Sequence, residues 1–289
     1  MGLRERLFGG GTATAADAAR PEALARRRGG PPREGLAWLG RRPDGRTGFL
    51  YRTMLGVGSR FLFGAARIRL QVDGRDQLPA GGYLLAVGLH RSWIDPLLVI
   101  EALPREPRPW FLGSGPSAFD RPWKEALLRH LGGILPVWRG GIDLSPTVAA
   151  GRAVVEAGCP FVLFIEGGVA GPPRSLGHLR HGAGLLALRL GCPIVPLALA
   201  GTAELYRGRR LAARILPPLT VADLIVERAA DPGTSSARPA EGSRAELELA
   251  GLLTERVGER LEAALPGLML LTVEAPAQPR RWRWLTHLF

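Results

Sequence analysis

The chain has 289 residues, long enough for one sizeable core with appendages, and 46% of them are apolar, so most of it is expected to fold. Thirty-eight Lys and Arg against 26 Asp and Glu give a formal net charge of +12, which suits an anionic membrane surface or nucleic acid without choosing between them. Two cysteines, Cys159 and Cys192, exclude a disulfide framework and favour a reducing compartment. No run of about 18 uncharged apolar residues exists, so no transmembrane span is expected. The opening residues do not lead into a long apolar core, so no secretory signal is expected.

Residues 1–47 are rich in Gly, Ala, Pro and Arg and read as a flexible basic arm. Residues 48–275 read as one folded domain, and residues 276–289 as an Arg/Trp-rich tail. The domain opens with Phe49 to Ala65, where aromatic and aliphatic residues mix with arginines. That stretch predicts an amphipathic helix, suited to a membrane interface or to ordinary packing. An alternating strand follows, Arg67 to Val72, closed by Asp73-Gly74.

The centre of the chain is Leu84 to Ile100. An apolar run has the length of a buried strand and ends at His90. A short loop leads to Asp95-Pro96, a helix-start signal, because Asp caps well and Pro fits the first helical turn. His90 is therefore expected at the carboxyl end of a strand and Asp95 at the start of the next helix, the crevice where open α/β sheets bind ligands. Across such a turn the Asp95 carboxylate can hold the imidazole Nδ1–H and leave Nε2 free to take a proton. Read alone, the pair also describes a satisfied histidine and a helix cap, and that account has the stronger claim until the rest of the chain is counted.

Further along, Pro109 to Leu112 reads as a short strand and Asp120 to Leu131 as a helix stopped by Gly132-Gly133. The strand Ile134 to Trp138 ends at Arg139. A helix over Pro146 to Gly158 precedes a buried strand, Phe161 to Ile165, followed at once by Glu166-Gly167-Gly168. The two glycines let backbone approach a ligand closely. A helix running to Leu190 and the strand Pro193 to Thr202 come next. Ala212 to Pro217 reads as one more strand, Asp231 to Gly242 as a loop and Arg244 to Ala264 as a long amphipathic helix. The tail interleaves Trp282 and Trp284 with arginines, a pattern that suits a membrane interface, stacking on single-stranded nucleic acid, or plain docking on the core. The expected fold is α/β: a single domain with a mostly parallel or mixed central sheet flanked by helices. The N-terminal amphipathic segment precedes it.

His90-x-x-x-x-Asp95 after a buried strand resembles the signature of the glycerolipid acyltransferases, the lysophospholipid and 1-acylglycerol-3-phosphate acyltransferases and their relatives. Three further blocks follow in order. Ile134 to Arg139 is similar to the family's second block, where an arginine meets the acceptor. Phe164-Ile165-Glu166-Gly167-Gly168-Val169 resembles the third, Phe-Pro-Glu-Gly-Thr-Arg, but departs from it at Ile165, Gly168 and Val169. The last departure removes the arginine expected to hold an acceptor phosphate. Arg174 or Arg180 stands nearby, the latter in Leu179-Arg180-His181-Gly182-Ala183, which is similar to the family's Phe-Lys-x-Gly-Ala. Val195-Pro196 resembles the fourth block.

The resemblance implies acyl transfer from a thioester, on CoA or acyl carrier protein, to a hydroxyl of a lysophospholipid-like lipid. His90 would be the base, oriented by Asp95, with Arg139, Glu166, Gly167, Gly168 and Arg180 binding substrate. Backbone N–H groups after His90, or at Glu166-Gly167-Gly168, would serve the oxyanion. The thioester is already activated, so no metal or resident cofactor is expected, and His178 with His181 lacks a nearby third ligand for zinc. The expected partners are the lipid acceptor, the acyl donor and an anionic membrane surface on its cytoplasmic face, with no nucleic acid. A non-catalytic basic protein binding membrane or nucleic acid is the alternative; it leaves the strand-end residues unexplained. A serine hydrolase fits poorly, since Ser92 and Ser114 both lack the Gly-x-Ser-x-Gly elbow.

Overall fold

The computed structural model describes residues 56–61, 63–114, 133–137, 144–168, 175–179, 181–229, 239–272 and 282–287. The basic arm, the expected helix at 120–131, and Arg139, Val169, Arg174 and Arg180 lie outside these residues.

The strands are β1 (Arg69–Asp73), β2 (Tyr83–Gly88), β3 (Trp110–Ser114), β4 (Ile134–Val137), β5 (Pro160–Phe164), β6 (Ile194–Ala200) and β7 (Arg210–Ile215). The helices are α1 (Asp95–Ala102), α2 (Ser145–Glu156), α3 (Gly182–Leu190), α4 (Val221–Ala229) and α5 (Arg244–Leu271). A 3-10 turn, Arg283–His287, lies near the C-terminus. Residues 56–61 and 63–65 are helical, with Val57 and Phe61 exposed.

All seven strands form one sheet in the order β1-β7-β6-β2-β5-β3-β4. The pairs β2–β5, β2–β6, β3–β5 and β3–β4 are parallel, so β2 and β5 lie side by side with their carboxyl ends on one edge. The sheet is mixed because β7 runs antiparallel to β6. Helices cover both faces, which is why β2 and β6 read as unbroken apolar runs rather than alternating ones. Along β2, Leu84 and Ala86 enter one core with α3 and α5, while Leu85 and Val87 enter the other with α1. The period of two thus decides which face each residue serves.

Two elements differ from the sequence expectation. Helix α5 continues past Ala264 to Leu271 with Pro266 inside it. Leu265 and Leu268 are buried in the core at that point, and this packing outweighs the backbone bond that proline cannot make. Helix α4 was not anticipated. Its sequence mark is Thr220-x-x-Asp223, a reciprocal cap in which each side chain accepts the other's backbone N–H.

Candidate active site

The site is built at the carboxyl ends of β2 and β5. Strand β2 ends at Gly88, and Leu89 then takes a left-handed backbone, φ 62°, with its side chain in the core. For a non-glycine residue this is a strained turn, of the kind found where a loop is held for a purpose. It delivers His90 over the end of β5, where the imidazole stacks on Phe164 with ring centroids 3.9 Å apart.

His90 Nδ1 lies 2.8 Å from Asp95 Oδ2. The same oxygen accepts the backbone N–H of Arg91 at 2.7 Å and of Ser92 at 2.8 Å. Asp95 is sealed from water, whereas the His90 side chain keeps 13% of its exposure. A carboxylate is an acceptor only, so the imidazole presents Nδ1–H to it and carries its free lone pair on Nε2. Asp95 is the first residue of α1, yet its side chain does not cap that helix, whose N-cap position is Ile94. It turns back into the loop instead. The expected helix-cap role is thereby corrected: the three donors of the loop occupy Asp95 Oδ2.

Glu166 sits directly after β5. Its carboxylate receives Arg91 Nη1 and Nη2, each at 2.7 Å, the His90 backbone N–H at 3.0 Å and the Gly177 N–H at 2.6 Å. Arg91 Nη2 also donates to the Ser175 carbonyl. The ion pair is buried, with side-chain exposures of 5% for Arg91 and 3% for Glu166. Four donors therefore hold Glu166 beneath the His90 loop, where it braces that loop and the segment 175–177. Gly167 turns the chain with φ 71° and its N–H donates to the Phe164 carbonyl. Gly168 follows it at the edge of the described residues.

The expected oxyanion donors are partly committed elsewhere. The Arg91 and Ser92 amides serve Asp95, and the Gly167 amide serves Phe164. Arg91 itself was not anticipated as part of the site. Its signal was a buried-strand loop carrying one cation while the neighbouring strand ended in one carboxylate, but that pairing needs the adjacency of β2 and β5 to be seen. His178 and His181 are described, and no cluster of three or more His, Cys, Asp or Glu suited to a metal occurs among the described residues.

Residues 69–200, from β1 to the end of β6, match the family model described as Acyltransferase. Among solved structures, the chain is similar to the 1-acyl-sn-glycerophosphate (LPA) acyltransferase PlsC from Thermotoga maritima, at 18% identity and a TM-score of 0.49, over 73% of this chain and 80% of that one. No curated protein matches the chain. The matched span holds all four strand-end blocks, and over it the chain is similar to the acyltransferase family.

Proposed function

We propose that the protein moves a fatty acyl group from an acyl-CoA or acyl carrier protein thioester to a hydroxyl of a lysophospholipid-like acceptor, with His90 as general base. The observation that carries this reading is the 2.8 Å contact between His90 Nδ1 and the buried Asp95 carboxylate beside a partly exposed ring. His90 Nε2 takes the acceptor proton as the oxygen attacks the thioester carbonyl. Asp95 stabilises the imidazolium that forms. Collapse of the tetrahedral intermediate breaks the carbon–sulfur bond, and the imidazolium returns its proton to the leaving thiolate. Glu166 acts through Arg91 and the His90 amide as a positioning residue. Arg139 and Arg180 bind the acceptor, and Gly167-Gly168 keep the approach to it open.

The acceptor is a lipid, so the protein works as a peripheral protein on an anionic membrane, at its cytoplasmic face. Supporting this are the +12 charge and the outward Val57, Phe61, Trp282 and Trp284. Among the described residues no helix is long and apolar enough to cross a membrane. A thiol-release assay tests the reading, with long-chain acyl-CoA or acyl carrier protein against lyso-lipids presented in anionic vesicles. His90→Ala is expected to lower turnover about a thousandfold, within the range of a lost general base, with an unchanged melting temperature. A His90→Ala protein that turned over normally would remove the base assignment.

A further inference from the structure

We infer that the C-terminal turn, Arg283–His287, is a positioning element of the acyl-transfer site and acts on the His90–Asp95 loop through Trp93; this rests on the reading of His90 as the base. Trp93 lies inside that loop, and its indole Nε1–H donates to the Leu285 carbonyl at 2.9 Å across a separation of 192 residues. Leu285 is 3% exposed and packs in the same core cluster as Ile94, Leu98 and Val99, the residues that seat the loop and α1. Thr286 fastens the turn from the other side. Its hydroxyl accepts the Leu205 N–H at 2.8 Å and donates to the Leu205 carbonyl at 3.1 Å.

Leu205 belongs to the connection between β6 and β7, and β6 neighbours β2 in parallel, with Gly88 paired to Ala198. The turn therefore bridges two loops at the same sheet edge. The His90 loop is gripped at two points: Arg91 is tied to Glu166 just past β5, and Trp93 is tied to the C-terminal turn. Such a loop contains a left-handed leucine and must hold an imidazole to a fraction of an ångström. Releasing one grip is expected to cost turnover more than binding, because loosened geometry is felt at the reacting atoms.

The test compares the full chain, Trp93→Phe in the full chain, a chain ending at Pro279, and the two changes combined. Phenylalanine keeps a ring in place and removes the N–H. We expect each single change to lower kcat about tenfold to a hundredfold, with KM for the thioester changed by less than about twofold. The combined protein is expected to be no slower than the shortened chain, since both changes break one link. Unchanged kcat in Trp93→Phe, or effects that multiply, would overturn the proposal. If the shortened chain fails to fold, Trp93→Phe decides alone. The proton nuclear resonance of His90 Nδ1–H gives a readout independent of turnover. If the full chain transfers no acyl group, the proposed function fails and this resonance decides: broadening or loss in Trp93→Phe supports positioning, and an unchanged signal overturns it.

Discussion

Arg91 and Glu166 share a bidentate contact with almost no access to water, and each also serves the backbone around it. The pair is more than a charge contact, because its partners are the His90 amide and the two ends of the segment 175–177. Removing one member leaves the other charge buried, which costs about 3–5 kcal/mol in comparable pairs. Arg91→Met is therefore expected to lower unfolding free energy by about 3 kcal/mol in urea denaturation. Adding Glu166→Gln should recover part of that loss, since it removes the stranded charge while the amide oxygen still accepts from one of the two N–H groups, of His90 or Gly177, that Glu166 holds. A single variant within about 0.5 kcal/mol of the parent would show that the pair carries little of the loop's stability.

At the level of elements, α3 and α5 approach each other closely at Gly184. A Cβ built on Gly184 would lie 2.0 Å from the Ala250 carbonyl oxygen and 2.9 Å from Thr254 Oγ1. Thr254 uses the same closeness, accepting the Gly184 N–H at 3.2 Å and donating to the Ala250 carbonyl at 2.9 Å. Gly184→Ala sets two effects against each other. Helix propensity favours alanine by about 1 kcal/mol. Overpacking against rigid backbone costs about 1–3 kcal/mol or more. Because the obstacle is a carbonyl oxygen rather than a flexible side-chain tip, the contact is expected to win, with a net loss of about 2 kcal/mol read as a lower melting temperature. A stabilised Gly184→Ala protein would mean that the helices can part at no cost. The start of α5 follows a local rule: Ser243 Oγ accepts the Glu246 N–H, and Glu246 reaches back to the Gly242 N–H while pairing with Arg189 of α3.

Across the whole molecule, the two ends of the central strands have opposite character. Charged chemistry gathers at the carboxyl ends of β2 and β5. At the amino ends of β2 and β6 lie Tyr83 and Cys192, both buried and both neutral. Burial raises the Tyr83 phenol and pushes the Cys192 thiol from its ordinary 9.0 up to about 11. The unfolded chain gives up these protons at lower pH than the folded one. Above pH 9 the unfolded state thus binds fewer protons, and stability falls as pH rises. For Cys192 the loss runs between pH 9.0 and about 11, at up to about 1.4 kcal/mol per pH unit. Cys192→Ala is expected to flatten that fall, as followed by urea midpoints at neutral and alkaline pH. An equal slope in both proteins would remove Cys192 as a source of alkaline sensitivity.

Local patterns in the sequence were enough to find β2, β5 and β6, to end β2 near His90, and to begin α1 at Asp95. Burial on both faces writes an unbroken apolar run, and the Asp-Pro step writes a helix start; both signals lie within a few residues of what they describe. The order of the blocks from His90 to Pro196 made the similarity to the acyltransferase family legible as well. Strand order is a different kind of information. That β5 lies against β2, so that Glu166 meets Arg91, depends on contacts 75 residues apart. The antiparallel return of β7, the run of α5 through Pro266, and the C-terminal turn against Trp93 are likewise decided by packing between distant segments. Tertiary burial outweighs local preference there, and no window along the chain contains both partners.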